Sequence, residues 1–183
     1  MEKREEVTST VDIYRHTPLR YLGYANEVGE AFRGAIPVRY VKLSYMIAGG
    51  YVLADTCNKS SLTSDRFKFK SEHDYQVASK FTETLIWQSL ASVIIPGFVI
   101  NRCCAAFNSF FKLLHVRNRQ VMTTALGLAL IPIIIKPIDR SVDHVMDSYI
   151  TPETQRFLAA LYHEKTDYQS YALAEAVMHD YNF

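Results

Sequence analysis

Four uncharged, mostly apolar runs punctuate the chain, at residues 43–54, 84–101, 103–111 and 120–135, with charged stretches between them. A hydrocarbon core of ~30 Å takes about 20 mostly apolar residues at the helical rise, and the second run approaches that length unaided. The first reaches it if Arg39 and Lys42 lay their stems along the apolar zone, and the fourth if Arg119 and Lys136 sit at the two interfaces. Segments crossing lipid here are expected to be helices, which satisfy their own backbone groups; nothing suggests the repeated strands of a barrel. Small residues favour close helix approach: Ser44, Ala48, Gly49 and Gly50 in the first span, Ser89, Ala91 and Ser92 in the second, and Ala125, Gly127 and Ala129 in the third. Pro96 and Pro132 lie deep in their spans, free the carbonyls of Ser92 and Leu128, and are the expected helix kinks.

Lys136 precedes Pro137, a position that disfavours the helical region, so the last span is expected to end there and a new helix to begin. In that helix Ile138, Val142, Val145, Met146 and Tyr149 recur at helical spacing, opposite a polar stripe of Asp139, Asp143 and Asp147 with His144 beside it. The stripe is read as a solvated face rather than a cation site. Residues 11–36 read as a helix interrupted by Arg20, Glu27, Glu30 and Arg33, too charged to span alone and expected to lie against the spans. Ala25 and Gly29, four apart, offer a flat face for another helix, with Leu22 and Phe32 adding apolar area. Residues 56–80 read as a polar loop, and residues 150–183 as a helical tail with a cap at Thr151-Pro152-Glu153 and a second short helix at 171–179.

The fold class expected is therefore all-α: a single helical membrane domain over residues 1–183, a multi-pass bundle of about three spans plus amphipathic helices. Residues 103–115 are read as an interfacial helix, with a fourth crossing as the alternative. Basic residues near the span ends divide evenly between the two sides, so they set no orientation.

Composition alters this picture little. Hydrophobic residues make up 49% and charged residues 21% of 183, within the range of ordinary globular domains. Twenty basic against nineteen acidic side chains give a net charge of +1, no footprint for a phosphate backbone, so nucleic acid is not an expected partner. Cys57, Cys103 and Cys104 lack both a disulfide framework and zinc-ligand spacing, and are read as packing residues in a reducing compartment. The first ten residues have neither the apolar core of a secretory signal nor the acid-poor, Arg-rich character of a transit peptide. Six scattered histidines share no ligand spacing, and GxxxxGK[ST], HExxH, CxxC and GxSxG are absent. No enzyme, metal or cofactor is expected.

Three strings carry a resemblance. They are Tyr21-Leu22-Gly23-Tyr24-Ala25-Asn26-Glu27-Val28-Gly29-Glu30-Ala31-Phe32-Arg33, then Trp87-Gln88-Ser89-Leu90-Ala91-Ser92-Val93-Ile94-Ile95-Pro96-Gly97-Phe98, then Ile131-Pro132-Ile133-Ile134-Ile135-Lys136-Pro137-Ile138-Asp139-Arg140-Ser141-Val142-Asp143. Together, across residues 12–147, the chain resembles the mitochondrial fission process protein family of the inner mitochondrial membrane. The resemblance implies a multi-pass inner-membrane protein that regulates mitochondrial fission and inner-membrane integrity without catalysis. Its expected partners are inner-membrane lipids and membrane proteins; no motif specifies an oligomeric state. Arg20, Ala25, Glu27, Gly29, Glu30, Arg33, Asp139 and Arg140 are the candidate interaction or packing residues. The alternatives are a small transporter or channel, with Glu27, Arg33, Lys136, Asp139 and Arg140 along a path, and a soluble bundle with the short apolar runs as core helices.

Overall fold

A computed structural model describes residue 14 and residues 18–68 and 73–162. Among them every regular element is helical. A 3₁₀ segment, Pro18–Tyr24, leads into the short helix α1, Ala25–Phe32. Helix α2 follows as Val38–Phe67, α3 as His73–Gln88, α4 as Ile95–Leu113 and α5 as Arg119–Val145. A π segment, Ser89–Ile94, joins α3 to α4 without a break, so one 41-residue helix runs His73–Leu113. A second π segment, Met146–Ile150, extends α5 into a 44-residue helix, Arg119–Tyr162. These two are long and apolar enough to cross a membrane by length and composition.

The long helices run antiparallel in sequence order. Trp87 meets Asp143, Ile100 packs with Ile131, and Cys104 faces Gly127, so α3–α4 and α5 form a hairpin about residues 114–118. That turn closes with Val116 N–H donating to Phe111 O at 3.0 Å and His115 N–H to Lys112 O at 3.2 Å. His115 takes the left-handed conformation, φ 53°, that this type of helix stop requires. Helix α2 leaves the 33–37 turn at the same end, and Asp55 on α2 meets Gln88 on α3. Two apolar clusters fill the seams: Ala31, Ile100, Cys104 and Ile131 in one, Ala91, Ile138, Val142 and Met146 in the other.

The all-helical expectation holds, but several boundaries move. Residues 103–115 are not a separate interfacial helix; they continue α4 to Leu113 and then turn. The expected polar loop at 56–80 is helical through Phe67 and again from His73. Its hydroxyls bond backward within α2, Thr56 to Val52 O, Ser60 to Thr56 O and Thr63 to Lys59 O, leaving a polar sequence compatible with a helix. Nor does Pro137 end α5, which passes through both Pro132 and Pro137 because Ile138, Val142 and Met146 pack on Ala91 beyond it. The cap expected at Thr151-Pro152-Glu153 is likewise absent, since helix continues to Tyr162. The short helix expected at 171–179 lies outside the described residues.

Candidate functional site

Helix α1 is too short to be stable alone and is held by three close approaches to its neighbours. A Cβ at Gly29 would lie 1.9 Å from Ser44 Oγ and 2.8 Å from Ser44 Cβ, so α1 and α2 touch nearly backbone to side-chain root. On α4, a Cβ at Gly97 would come within 2.7 Å of the Tyr45 hydroxyl and 3.0 Å of Asn26 Nδ2. On α5, one at Gly127 would meet Cys104 Sγ at 2.7 Å and Ala31 Cβ at 3.1 Å. Small residues let backbones approach; Gly29 does so, while its predicted companion Ala25 is only half-buried.

This wedge carries polar side chains into the interior. Glu30, 2% exposed, accepts both Arg33 Nε at 2.6 Å and Arg33 Nη2 at 2.5 Å. Glu30 also accepts the Tyr45 hydroxyl at 2.9 Å and Asn101 Nδ2–H at 2.7 Å. Burial alone would raise the Glu30 carboxyl, but the hydrogen bonds from Arg33, Asn101 and Tyr45 outweigh it and hold the group below the usual carboxylate range. Asn26, fully buried, donates Nδ2 to Val93 O at 3.0 Å, inside the first π segment. Glu27 differs from both. It is fully buried, neither carboxylate oxygen has a hydrogen-bond partner, and burial, offset in part by its own backbone amide, pushes its carboxyl up to about 8.

The candidate residues thus divide into two places. Glu30 and Arg33 pair with each other, whereas Arg20 bonds the Tyr24 hydroxyl and reaches Asp139 at 3.5 Å. Arg140 and Lys136 are exposed and join neither group. Glu27, Arg33, Lys136, Asp139 and Arg140 therefore line no common path, and the cavity beside Arg20 and Asp139 holds only about 20 Å³. The acidic stripe is also broken up, with Asp139 on Arg20 and Asp143 accepting Trp87 Nε1–H at 2.7 Å. Among the described residues no group of His, Cys, Asp and Glu is placed to hold a metal ion. Pro96 lies two residues past Ile94, the end of the first π segment, and Pro132 lies within uninterrupted α5.

One polar centre was not singled out from sequence. Asp55, fully buried on α2, pairs with Lys59 at 2.7 Å and accepts Gln88 Nε2–H from α3, while Ser92 Oγ donates to Gln88 Oε1 at 2.7 Å. The signal was present: a lone glutamine inside the 84–101 apolar run needs a partner wherever water is excluded.

A family model, Mitochondrial 18 KDa protein, matches residues 57–146. A protein named Mitochondrial fission process protein 1 from Homo sapiens is 50% identical over 142 residues, 75% of this chain and 84% of its own length. Its namesakes from Danio rerio and Caenorhabditis elegans are 48% and 47% identical, over 75% and 74% of this chain and 86% and 84% of theirs. No solved structure matches. With half the aligned positions identical across three quarters of its length, the chain belongs to the mitochondrial fission process protein family.

Proposed function

We propose that this chain is a non-enzymatic, multi-pass integral protein of the inner mitochondrial membrane that acts in mitochondrial fission and inner-membrane integrity. The fission role follows the names of its relatives. The membrane half rests on one observation: polarity is inverted. Asn26, Glu27, Glu30, Asp55, Thr56 and Gln88 are almost fully buried, while Ile94, Phe98, Val121 and Ile133 are each more than half exposed along the long helices. Water would reverse that arrangement; lipid favours it, because buried polar groups then pair between helices and apolar side chains face acyl tails. Helix α2 supplies the third crossing, with Asp55, Thr56 and Ser60 turned to the interior. The protein acts through helix-mediated association with lipids and other membrane proteins, its polar seams fixing which faces remain outward.

Alkaline carbonate extraction of mitochondria, followed by protease protection in intact mitochondria and mitoplasts, tests the location. Retention in the pellet, with cleavage only after the outer membrane is opened, is expected; release into the supernatant would overturn the membrane reading. For the role, depletion should lengthen the mitochondrial network and re-expression should restore it. An unchanged network would remove the fission assignment.

A further inference from the structure

At the end of the bundle where the 33–37 and 114–118 turns lie, a cavity of about 320 Å³ opens between α1, α4 and α5. Arg33, Arg102 and Arg119 line it, together with Asn108, Gln120 and Thr123. Among the described residues one carboxylate, Glu30, shares the lining, and its oxygens are already taken by Arg33, Asn101 and Tyr45. Arg102 is engaged by the neutral side chain of Asn101, and Arg119 has no acidic partner among the described residues. The cavity therefore has uncompensated positive charge.

Two further features point to an anion. The N-terminus of α5, a 27-residue helix, opens into the cavity through Arg119 and Gln120; Asn118 provides no side-chain cap and the first turn has no acidic residue. Its amide groups and the positive end of its dipole are left for an external acceptor. Independently, Thr123 is 8% exposed, lines the same cavity, and its buried hydroxyl has no hydrogen-bond partner. A hydroxyl buried without a partner is costly, and a phosphate oxygen would satisfy it.

We propose that this cavity binds the phosphate group of an anionic phospholipid, with Arg33, Arg102 and Arg119 around the phosphate. The lipid as source rests on the membrane reading above; the phosphate chemistry of the cavity does not.

The test uses the full chain purified in a nonionic detergent, titrated separately with phosphatidylglycerol, phosphatidylcholine and inorganic phosphate, with native mass spectrometry counting bound lipid and thermal unfolding reading affinity. One tightly held phosphatidylglycerol, preferred over phosphatidylcholine, is expected. Arg102→Gln with Arg119→Gln should weaken it about tenfold, from the loss of charge-assisted hydrogen bonds. Lys112→Gln with Arg117→Gln removes the same charge outside the cavity and should change little. Thr123→Val keeps every charge and guards against a double variant that does not fold; it should weaken binding about threefold. Binding of inorganic phosphate that is lost in the same variants, without preference for phosphatidylglycerol, would keep the site and assign it a free anion. No preference and no phosphate binding, or equal losses in both double variants, would overturn the proposal. Release on carbonate extraction with an intact phosphate titration would remove the membrane reading and leave the site.

Discussion

At the scale of single residues, Gly29 and Glu27 are the positions where the wedge is tested most directly. Gly29→Ala places a methyl 2.8 Å from Ser44 Cβ, so the α1–α2 contact must open. Overpacking of this kind costs about 1–3 kcal/mol, and thermal unfolding in detergent should show it. Ser44→Ala removes the nearer Oγ clash but keeps the Cβ contact and should rescue the variant in part, whereas Ser44→Gly should rescue it further; no loss at all in Gly29→Ala would mean the contact is loose. Glu27 predicts a pH dependence. Its carboxyl is raised to about 8 in the folded protein against 4.5 in the unfolded chain, so the folded state binds the extra proton between those values. The stability associated with the neutral carboxyl is then complete below pH 4.5 and falls as pH rises through 8. Glu27→Gln, always neutral, should flatten that profile and raise Tm above pH 8 relative to wild type. A wild-type profile that stays flat between these limits would show that Glu27 finds a partner when ionised.

At the scale of elements, the decisive contact is the Asp55 centre that joins α2 to α3. Lys59 is 15% exposed and balances a fully buried carboxylate, so Lys59→Met leaves Asp55 with Gln88 alone and should destabilise by about 3 kcal/mol. Arg156→Ala breaks an ion pair exposed on both sides and should cost under about 1 kcal/mol; comparable losses in the two would remove Asp55 from the interior. The existence of the helices was legible in the apolar runs, and Glu27, Glu30 and Arg33 stood out as charge among apolar positions that must be compensated; the structure pairs Glu30 with Arg33 and leaves the Glu27 carboxylate without a hydrogen bond. Helix ends were not legible. Pro137 is a local stop signal and Thr151-Pro152-Glu153 a local start signal, yet Ile138, Val142 and Met146 pack beyond the first, and Gln155 and Tyr162 reach α3 beyond the second, so one helix runs on. Both π segments end two residues before a proline, at Ile94 before Pro96 and at Ile150 before Pro152. Widening the turn there relieves the clash between the proline ring and the preceding carbonyl. Pairing was not legible either: Arg20 with Asp139 and Asp55 with Gln88 span more than 30 residues, and no local pattern specifies them.

At the scale of the whole molecule, length constrains the topology. A helix of 41 residues extends about 60 Å at 1.5 Å per residue, roughly twice a hydrocarbon core of ~30 Å, so under the membrane reading proposed above His73–Leu113 projects from one or both faces of the bilayer. Tyr75 stacks edge-on to Tyr162 with centroids 6.2 Å apart, and Gln155 Nε2–H donates to Glu83 at 2.9 Å, so the start of α3 and the end of the 44-residue helix emerge together. The uneven register adds a constraint, since Asn101 and Arg102 on α4 lie close to the level of Ile131 on α5, within the apolar run of the latter. They are tolerated because Asn101 bonds Glu30 and Arg102 lies over the Phe98 ring at 5.7 Å while bordering the open basic cavity. Single cysteines in a chain with Cys57, Cys103 and Cys104 replaced by alanine turn this into a test in sealed vesicles. Asp74→Cys and Phe157→Cys, about 36 Å along their helices from Phe98 and Ile133, should react with a water-soluble maleimide as a pair, both from outside or both only after lysis. Phe98→Cys and Ile133→Cys should stay unreactive until detergent removes the lipid. Labelling of Phe98→Cys in intact vesicles, or opposite sidedness for positions 74 and 157, would show that the hairpin does not cross the bilayer as one unit.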